Sequence, residues 1–331
     1  MRPSPRPDPD DASDGPRPEV SVLVVSYNTR AMTLACLASV AAQTRAAHEV
    51  IVLDNASTDG SAGAVAQAHP GVRLIASADN LGFAGGNNRA AAQARGEYLL
   101  LLNPDTEVRD GAIDRLLDFA RSRPRAGIWG GRTLFADGSL NPTSVHRRMS
   151  LWTLLCRATG LTGLFPASAL FNAEAYGGWK RDTVRRVDIV SGAFFLIRRE
   201  MWEALGGLDE TFFMYGEEAD LCLRATARFG AAPVVTPEAT IIHHGGASER
   251  VRADKLVRLL SAKATLIARH FPAWQRGAGL ALLAAWPASR ALATGLRGRL
   301  PGGGGAAEAA RVWAEVWRRR AEWRRGYPAS G

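Results

Sequence analysis

An alternation of short apolar runs with helical segments over residues 20–102 constrains the fold most. Four runs have the length and the apolar, partly β-branched composition of strands buried in a sheet. They are Val20–Ser26, Glu49–Asp54, Val72–Ile75 and Glu97–Leu102. Segments with helical features, such as Met32–Gln43 and Ser61–Ala68, lie between them. This alternation predicts an α/β fold, with a parallel sheet and helices on both of its faces.

Polar residues follow each of the four runs, at the points where the strands of such a sheet end. In open α/β sheets, ligands bind outside the carboxyl ends of the strands. The third polar cluster lies in the glycine-rich segment Asn80–Asn88, which we interpret as a loop followed by a small-residue helix to about Arg95. The clusters comprise Tyr27 and Asn28, Asp54 and Asn55, Asn80, and Asn103 with Asp105. Their position at one edge predicts a single binding site.

Three of the candidate site residues have a binding role and a simpler structural role. Asp54 could bind a base or ribose through charge-assisted hydrogen bonds, or could cap the turn that follows it. Asp105 offers an oxygen ligand for Mg²⁺ or Mn²⁺ beside a diphosphate, or an N-cap for the helix that contains Ile113. His243, after the strand-like Thr240–Ile242, could complete a metal site or only form hydrogen bonds. Residue type alone leaves these alternatives open.

Three carboxylates lie within four residues further along the chain, at Glu217, Glu218 and Asp220. On a helix that begins near Tyr215, they would crowd into its first turn, with Arg224 one turn beyond Asp220. Crowded like charges raise one another's pKa, which makes a carboxylate a usable base near neutral pH. The alternative is that all three occupy a solvated first turn that the helix dipole favours.

Composition and short motifs exclude several protein classes. No GxGxxG motif follows the first strand and no GxxxxGK[ST] motif occurs, so neither a dinucleotide-binding fold nor a P-loop ATPase is supported. The 331 residues are 47% hydrophobic and 22% charged, as in ordinary globular proteins. Cys36, Cys156 and Cys222 are widely spaced, which favours buried free thiols in a reducing compartment. The first residues lack the apolar core of a signal peptide.

An ordered series of motifs resembles family 2 glycosyltransferases, in the rhamnosyltransferase-like branch of enzymes with the GT-A fold. Each motif is loose, but the series spans residues 20–250 in the family's order. The resemblance implies a nucleotide-diphospho-sugar transferase fold, a Rossmann-like and mostly parallel sheet with helices on both faces. The motifs are Val25–Asn28, Val52–Ser61, Asn80–Asn88, Leu101–Thr106, Ser191–Arg199, Gly206–Arg224 and His243–Ser248.

The resemblance also implies roles for the candidate residues. Asp54 should contact the nucleotide base, and Glu218 stands where the family has its catalytic base. The longer side chain at this position, where the family usually has aspartate, leaves Glu217 as an alternative, with Asp220 in the same catalytic group. Asp105 should hold a divalent cation, Mg²⁺ or Mn²⁺, with help from His243. The remaining nucleotide-binding residues would be Tyr27, Asn28, Asn55, Asn80, Gly85 and Asn103.

The implied reaction is inverting transfer of a sugar from a nucleotide-diphosphate sugar to a hydroxyl group. TDP-rhamnose or a similar donor is expected, with a glycan or polyprenyl-linked acceptor. A metal-dependent phosphohydrolase is the main rival, but the early strands offer one convincing metal ligand, where a two-metal site needs several. A degenerate sugar-nucleotide-binding or membrane-scaffold protein is a further alternative, against which the presence of Asp105 and Glu218 argues.

The chain divides by composition into an arm, a catalytic domain and a basic tail. Residues 1–19 predict a disordered arm, and residues 20–250 a catalytic domain with a nucleotide-binding half (20–108) and an acceptor half (109–250). Residues 251–331 carry 15 basic and four acidic side chains, whereas residues 21–250 carry 23 of each. This distribution does not indicate a nucleic-acid-binding protein, and a homodimer is left open.

The tail predicts amphipathic helices. Past the glycine run Gly302–Gly305, an aromatic stripe of Trp313, Val316, Trp317 and Trp323 has arginines beside it, as in helices that lie on anionic membranes. The longest uncharged run, Gly277–Ser289, is too short to cross a bilayer and contains Pro287. We therefore expect a cytoplasmic protein, peripheral on the inner face of the cell membrane. The alternative is that the stripe packs on the catalytic domain or on a second subunit.

Overall fold

A computed structural model of the chain describes residues 17–245, 252–298 and 304–328. Residues 1–16 of the predicted arm, the end of the His243–Ser248 motif and residues 302–303 of the glycine run lie outside these ranges. The first half alternates strands with helices, as the sequence predicts. Its elements are β1 (Val20–Ser26), α1 (Arg30–Gln43), β2 (His48–Asn55), α2 (Ser61–Ala68), β3 (Arg73–Ser77), α3 (Gly82–Ala91), β4 (Tyr98–Leu102), β5 (Thr106–Val108) and α4 (Ala112–Ser122).

The second half contains strands of very different lengths, from two residues in β7 to ten in β11. Its first elements are β6 (Ile128–Leu134), β7 (Val145–His146), α5 (Leu151–Thr159), α6 (Leu161–Leu164), β8 (Arg185–Arg186), β9 (Ile189–Val190) and β10 (Phe194–Arg198). They are followed by α7 (Arg199–Leu205), α8 (Glu217–Phe229), β11 (Val234–His243), α9 (Arg252–His270), α10 (Ala273–Arg297), α11 (Gly304–Arg318) and α12 (Arg320–Trp323).

Within the described ranges, nine strands form the central sheet, in the order β3-β2-β1-β4-β10-β6-β11-β5, with β8 paired to β11. The first four strands in this order are parallel to one another. β10 is antiparallel to both of its neighbours, β4 and β6, while β11 runs parallel to β6. The predicted α/β class is therefore confirmed, with a parallel sheet in the nucleotide half and a mixed sheet beyond it.

Helices cover both faces of this sheet, because alternate strand residues are buried on opposite sides. Leu23 and Leu53 belong to the apolar cluster under α3, α7 and α8, whereas Val22 and Val52 belong to the cluster under α1, α2 and α4. Burial on both faces explains why the strands read as nearly continuous apolar runs. Cys36, Cys156 and Cys222 are free and buried, as expected.

The segment Asn80–Asn88, predicted as a loop, is mostly helix α3. Its glycines lower helix propensity, which made the local sequence misleading, but close packing requires them. A Cβ on Gly82 (φ +71°) would lie 2.2 Å from the backbone oxygen of Phe213, and one on Gly86 would lie 2.8 Å from Cγ1 of Val25. Tertiary contacts thus override propensity, and the helix ends at Ala91 instead of Arg95.

The C-terminal residues form four helices in the described ranges, and these pack on the catalytic body. Val316 and Trp323 are fully buried, Trp323 donates a hydrogen bond to the backbone of Val316, and Trp313 contacts Trp286 of α10. The interpretation of the aromatic stripe as a membrane-facing surface is therefore wrong. Its apolar side chains cover a core formed by α5, α9 and α10, which was the alternative reading.

Two further features of the tail concern the helix α10 and the question of membrane crossing. Pro287 lies inside α10 and does not end it, since the helix continues from Ala273 to Arg297. None of the helices in the described ranges is both long and apolar enough to cross a membrane.

Candidate active site

The sheet topology brings the predicted polar clusters to one edge. β3, β2, β1 and β4 are adjacent and parallel, so their carboxyl ends point the same way. Ser26, the last residue of β1, is in register with Asp54 of β2. Asn80 follows β3 and Asn103 follows β4, which places residues from four separate segments along one rim.

Asp54 combines a structural contact with an unused acceptor. Its Oδ2 accepts a hydrogen bond from the backbone of Ser57 (3.1 Å), as a turn cap does. Its Oδ1 is buried and has no partner among the described residues, although Asp54 as a whole is only 4% exposed. A buried acceptor without a partner is costly unless a ligand donates to it. Tyr27, which is 37% exposed, lies immediately after β1 and offers an aromatic surface next to β2, the strand that carries Asp54.

The side chains of Asn28, Asn55 and Asn80 shape the surrounding loops. Asn28 has a φ of 52° and accepts a hydrogen bond from the backbone of Thr58 (2.8 Å). Asn55 donates to Oδ1 of Asn80 (2.9 Å) and accepts from the backbone at the start of α3. Gly85 lies within α3, where a Cβ would approach Glu210. These contacts fix the rim on which a nucleotide would bind.

Asp105, Asn103 and His243 meet where β4 and β11 end. The His243 Nε2 atom lies 3.4 Å from Oδ1 of Asp105 and 3.3 Å from Nδ2 of Asn103, while the Gly245 backbone donates to Oδ2 of Asp105 (2.9 Å). Burial acts to raise the pKa of Asp105, but the hydrogen bond and charge of His243 outweigh it and hold that pKa below its ordinary value. Asp105 is therefore ionised at neutral pH. It does not cap α4, whose N-cap is Gly111.

The donors at this position fit a divalent cation that also binds a diphosphate. Among the described residues, no group of three histidine, cysteine, aspartate or glutamate side chains is arranged to hold a metal. Mg²⁺, however, is often held by one or two carboxylates together with substrate phosphates. Asp105 supplies an ionised carboxylate and His243 an imidazole, and the Nδ1 atom of His243 is buried without a partner in the described part of the chain. Two protein ligands are sufficient when the substrate provides the others.

The three clustered carboxylates occupy the first turn of α8, as predicted, but their environments differ. Asp220 is 1% exposed and accepts hydrogen bonds from Arg224 of its own helix (2.6 Å) and from His270 of α9 (2.8 Å). Its pKa is pulled upward by burial but is held below its ordinary value by these two partners. Asp220 therefore links α8 to α9 and is not free to take a proton.

Glu217 and Glu218 lack such cationic partners in the described chain. Burial raises the pKa of both, and the charge of Glu218 raises that of Glu217 further. Glu217 is 4% exposed and its Oε2 atom has no hydrogen-bond partner among the described residues. Glu218 is half-buried and lines a cavity of about 230 Å³, so its carboxylate is the more accessible of the two.

The motif Ser191–Arg199 connects this carboxylate to the rim of the sheet. The backbone oxygen of Ala193 accepts a hydrogen bond from the backbone of Asn103 (3.2 Å). One residue earlier, a Cβ on Gly192 would lie 2.8 Å from the ring of Phe83 and 4.0 Å from Cβ of Glu218. The absence of a side chain at Gly192 thus lets α8 approach α3, and the segment 192–193 connects the surroundings of Glu218 to the backbone of Asn103.

The backbone before α8 is held in an unusual conformation. Tyr215 has a φ of 71° and Gly216 a φ of 94°, so two consecutive residues are left-handed. A left-handed non-glycine residue is uncommon, and such residues persist where the surrounding structure fixes them, often at functional sites. Gly216 packs against α9, where its Cβ would lie 3.1 Å from Cβ of Ala262. This turn directs Glu218 into the cavity.

Seven charged or titratable residues of the cavity were not predicted from the sequence. They come from β7 and the residues after it, from α5, from the segment before β8 and from α9, and they are His146, Arg147, Arg148, Arg157, Glu174, Lys263 and His270. Tertiary packing alone brings these distant segments together. Lys263 carried a usable signal, because it lies on the same helical face as Leu259, Leu260 and Leu266, where a charge is unexpected.

Comparison with known proteins identifies the family to which the chain belongs. The family model "Glycosyl transferase family 2" matches residues 21–206. The chain belongs to this family. A relative from Mycobacterium tuberculosis, N-acetylglucosaminyl-diphospho-decaprenol L-rhamnosyltransferase, is 33% identical over 238 residues, which cover 67% of this chain and 75% of that protein. The O-antigen biosynthesis protein RfbC of Myxococcus xanthus is 32% identical over 247 residues, covering 71% of this chain and 18% of RfbC.

A solved glycosyltransferase structure also resembles this family 2 chain in fold. The mannosyltransferase PcManGT of Pyrobaculum calidifontis, solved with GDP-mannose and Mn²⁺, superposes with a TM-score of 0.54 at 18% identity. The match covers 93% of this chain and 85% of PcManGT, so it extends into the C-terminal helices. At this identity the likeness concerns the fold alone. The predicted GT-A fold and the relationship to rhamnosyltransferase-like family 2 enzymes are confirmed.

Proposed function

We propose that this family 2 glycosyltransferase transfers a sugar with inversion from a nucleotide-diphosphate donor to a hydroxyl group, using Glu218 as the base. The observation that carries this proposal is the contrast between two carboxylates. Asp105 is held ionised beside His243, whereas Glu218 has a raised pKa and lines a cavity. Environments that push two pKa values apart are typical of sites that divide charge stabilisation from proton transfer.

The donor nucleotide would bind along the rim of the parallel strands. The unpartnered Oδ1 of Asp54 would accept a hydrogen bond from the base, and Tyr27 would lie against it. Asn28, Asn55 and Asn80 would keep the rim in shape through the loop contacts described above, and Asn103 would orient His243. Gly85 would act through the packing of α3.

Asp105 and His243 would hold a divalent cation, Mg²⁺ or Mn²⁺, against the diphosphate. When bound, such a cation neutralises charge that develops on the leaving nucleotide, an effect worth several kcal/mol in comparable sites. For the chain's own residues, the requirement is that Asp105 stays ionised, which the neighbouring His243 favours.

Glu218 would take the acceptor's proton as the hydroxyl attacks the anomeric carbon from the face opposite the diphosphate. A positioned base contributes about 10²–10⁴-fold to such reactions. Glu217 is the alternative base, but its carboxylate is almost fully buried and does not line the cavity. We therefore assign proton transfer to Glu218 and not to Glu217.

The relatives favour a particular donor and acceptor. A relative that matches two thirds of this chain is, by its name, a rhamnosyltransferase that acts on a diphospho-decaprenol-linked sugar. We extend this to a TDP-rhamnose-like donor and a polyprenyl-linked or glycan acceptor here. The neutral catalytic body and the family match leave the phosphohydrolase and degenerate-binder alternatives without specific support.

The test is nucleotide release from a panel of nucleotide sugars, TDP-rhamnose first, with Mn²⁺, with Mg²⁺ and with EDTA. The proposal predicts release of the nucleoside diphosphate that depends on the cation and on Asp105. Release of inorganic phosphate would indicate a phosphohydrolase instead. Binding of the nucleotide without any turnover would indicate a degenerate binding protein.

We also propose that the protein binds the inner face of the cell membrane, through a surface other than the tail's aromatic stripe. The residues involved, defined as the apolar patch, lie on and after α5 and are more than a third exposed: Trp152, Leu155, Leu164, Phe165 and Leu170. Trp152 donates a hydrogen bond to the backbone of Leu170 (2.9 Å), and Arg290 of α10 donates to the carbonyl of Arg157 of α5. Exposed aromatics with nearby arginines suit an anionic interface.

Vesicle flotation with the full chain tests this surface. A truncated chain is unsuitable, because α9 is part of the core and its removal would expose apolar side chains. The double variant Leu164→Ser/Phe165→Ser should lose binding to anionic vesicles, whereas Trp274→Ser, at a still more exposed site on α10, should keep it. Equal flotation of both variants would refute the assignment of the patch.

A further inference from the structure

We propose that the cavity beside Glu218 binds an anionic group of the acceptor, a phosphate or diphosphate ester, through Lys263, Arg157 and Arg148. This inference rests on the proposed function, because it extends the acceptor side of the same site. It adds a recognition element that neither the sequence motifs nor the nucleotide rim contains. The argument depends on which segments form the cavity and on the charges that they bring into it.

The cavity lies between the start of α8 and helix α9. Glu218 and Gly216 form one wall, and Ala262 and Lys263 form the other. The two walls meet where Gly216 packs against Ala262. The segment from β7 to α5 completes the cavity with Arg148 and Arg157. Its volume of about 230 Å³ is below the roughly 300–1,000 Å³ of pockets that enclose drug-sized ligands. It can therefore hold the part of an acceptor near the reacting hydroxyl, and not a whole lipid-linked glycan.

A buried ionic cluster in this cavity contains more cations than anions. Glu174 accepts hydrogen bonds from both Lys263 (2.5 Å) and Arg157 (3.0 Å), so two cations share one carboxylate. The side chains of Lys263 and Glu174 are only 10% and 8% exposed, and that of Arg157 is 24% exposed. The guanidinium of Arg157 also lies over the ring of Trp286 of α10 (5.1 Å). The cluster therefore holds an excess positive charge away from bulk water.

The other charged groups that line the cavity do not neutralise this excess. Burial lowers the pKa of the His146 imidazole to about 4, so it is neutral at pH 7. His270 is engaged by Asp220, outside the cluster. Arg147 and Arg148 add two further cations at the mouth. The remaining carboxylate, Glu218, has a raised pKa, which weakens it as a counter-ion.

Excess positive charge that is removed from water is costly unless an anion compensates it. Phosphate groups suit this arrangement, since arginine and lysine form short charge-assisted hydrogen bonds with phosphate oxygens. The apolar walls formed by Met149, Ile189 and Leu259 would exclude water around such contacts. A phosphate held here would place the adjoining sugar hydroxyl near Glu218, which lines the same cavity.

The experiment compares binding of N-acetylglucosamine 1-phosphate with that of N-acetylglucosamine, by calorimetry, with TDP and Mn²⁺ saturating the donor site. Wild-type protein should bind the phosphate ester at least about tenfold more tightly than the free sugar. Lys263→Met should remove about tenfold of that affinity, and Arg148→Gln, at an exposed site that tolerates substitution, should remove part of it. Lys180→Met, an exposed lysine outside the cavity, is the matched control and should change nothing.

A second variant keeps the test independent of folding defects. Glu174→Gln removes the anion of the cluster and so increases its excess positive charge. The phosphate ester should therefore raise the melting temperature of Glu174→Gln by more than it raises that of wild type. It should not raise the melting temperature of Lys263→Met. Equal affinity for the two sugars, or equal binding by Lys263→Met and Lys180→Met, would overturn the inference. Failure of TDP itself to bind would instead contradict the proposed function. A parallel titration with farnesyl diphosphate shows whether a lipid-linked anion binds better than a sugar phosphate.

Discussion

The carboxylates at the two ends of the site lie in environments that shift their pKa values in opposite directions. Asp105 lies at a strand end, where His243 and the backbone of Gly245 stabilise its charge against burial. Glu218 lies at a helix start, where burial raises its pKa and it forms no ion pair with a cation of the described chain. In the proposed mechanism, the same chemical group would serve as a charged ligand at one end and as a proton acceptor at the other. Environment, and not residue type, assigns the roles.

The two ends also differ in how they are built. Except for His243 of β11, the Asp105 end comes from consecutive βα units, whose residues are adjacent in the sheet because the strands are. The Glu218 end is assembled from β7, α5, α8 and α9, which are far apart in sequence. The proposed donor end is therefore mostly local in origin, whereas the proposed acceptor end depends on long-range packing, including that of the C-terminal helices.

The largest effect is expected at the ionised end. Asp105→Ala should lower cation-dependent nucleotide release by at least about 10³-fold, since loss of a cation-binding carboxylate removes several kcal/mol of charge stabilisation. Nucleotide-diphosphate binding, measured by calorimetry, should weaken in parallel. Asp118→Ala, which removes an exposed carboxylate on α4, is the control and should retain activity. Full wild-type activity in EDTA would remove the cation from the account.

The next effect is at the other end. Glu218→Gln should lower turnover by at least about 10²-fold, because the proton acceptor is lost. Its affinity for the nucleotide should stay near that of wild type, because Glu218 lies away from the rim. Glu217→Gln is the matched variant and should be mild in turnover. If Glu217→Gln inactivates the enzyme while Glu218→Gln does not, the assignment of the base is reversed.

Asp220, the third carboxylate at the start of α8, is expected to affect the stability of the fold. Asp220→Ala should lower the free energy of unfolding by about 3 kcal/mol, as expected when one partner of a buried ion pair is removed. Because the folded pKa of Asp220 is lowered, its contribution is complete above its ordinary value of 3.8 and is lost as pH falls through the folded pKa. Urea unfolding at neutral pH measures the loss, and an unchanged midpoint would contradict the structural role.

The smallest effect is expected at Glu217, with the opposite sign. Burial and the charge of Glu218 raise its folded pKa well above its ordinary value of 4.5, so its ionised form destabilises the fold at neutral pH. Glu217→Gln should therefore raise the melting temperature at pH 7. The gain should shrink as pH falls towards 4.5 and should be absent below it. A melting temperature that is lowered at pH 7 would show that Glu217 makes a stabilising contact.

Much of the fold follows from the sequence, and less of the site. The bounds of β1 and α2 match their predictions, because the pattern of buried residues in a parallel sheet is local. The helix α3 was missed because its glycines serve contacts with Val25 and Phe213 that local propensity does not encode. The rim residues were found from their positions after strands. Glu174 and Lys263 were not, because only tertiary packing joins them.

The most direct measurement of the central claim is the pH dependence of kcat/KM for wild type and Glu218→Gln, with the donor that the panel identifies. In wild type, activity should fall as pH decreases through the raised pKa of Glu218, above the ordinary glutamate value of 4.5. The residual activity of Glu218→Gln should lack this acid limb. An acid limb that persists unchanged in Glu218→Gln would contradict the assignment of Glu218 as the base.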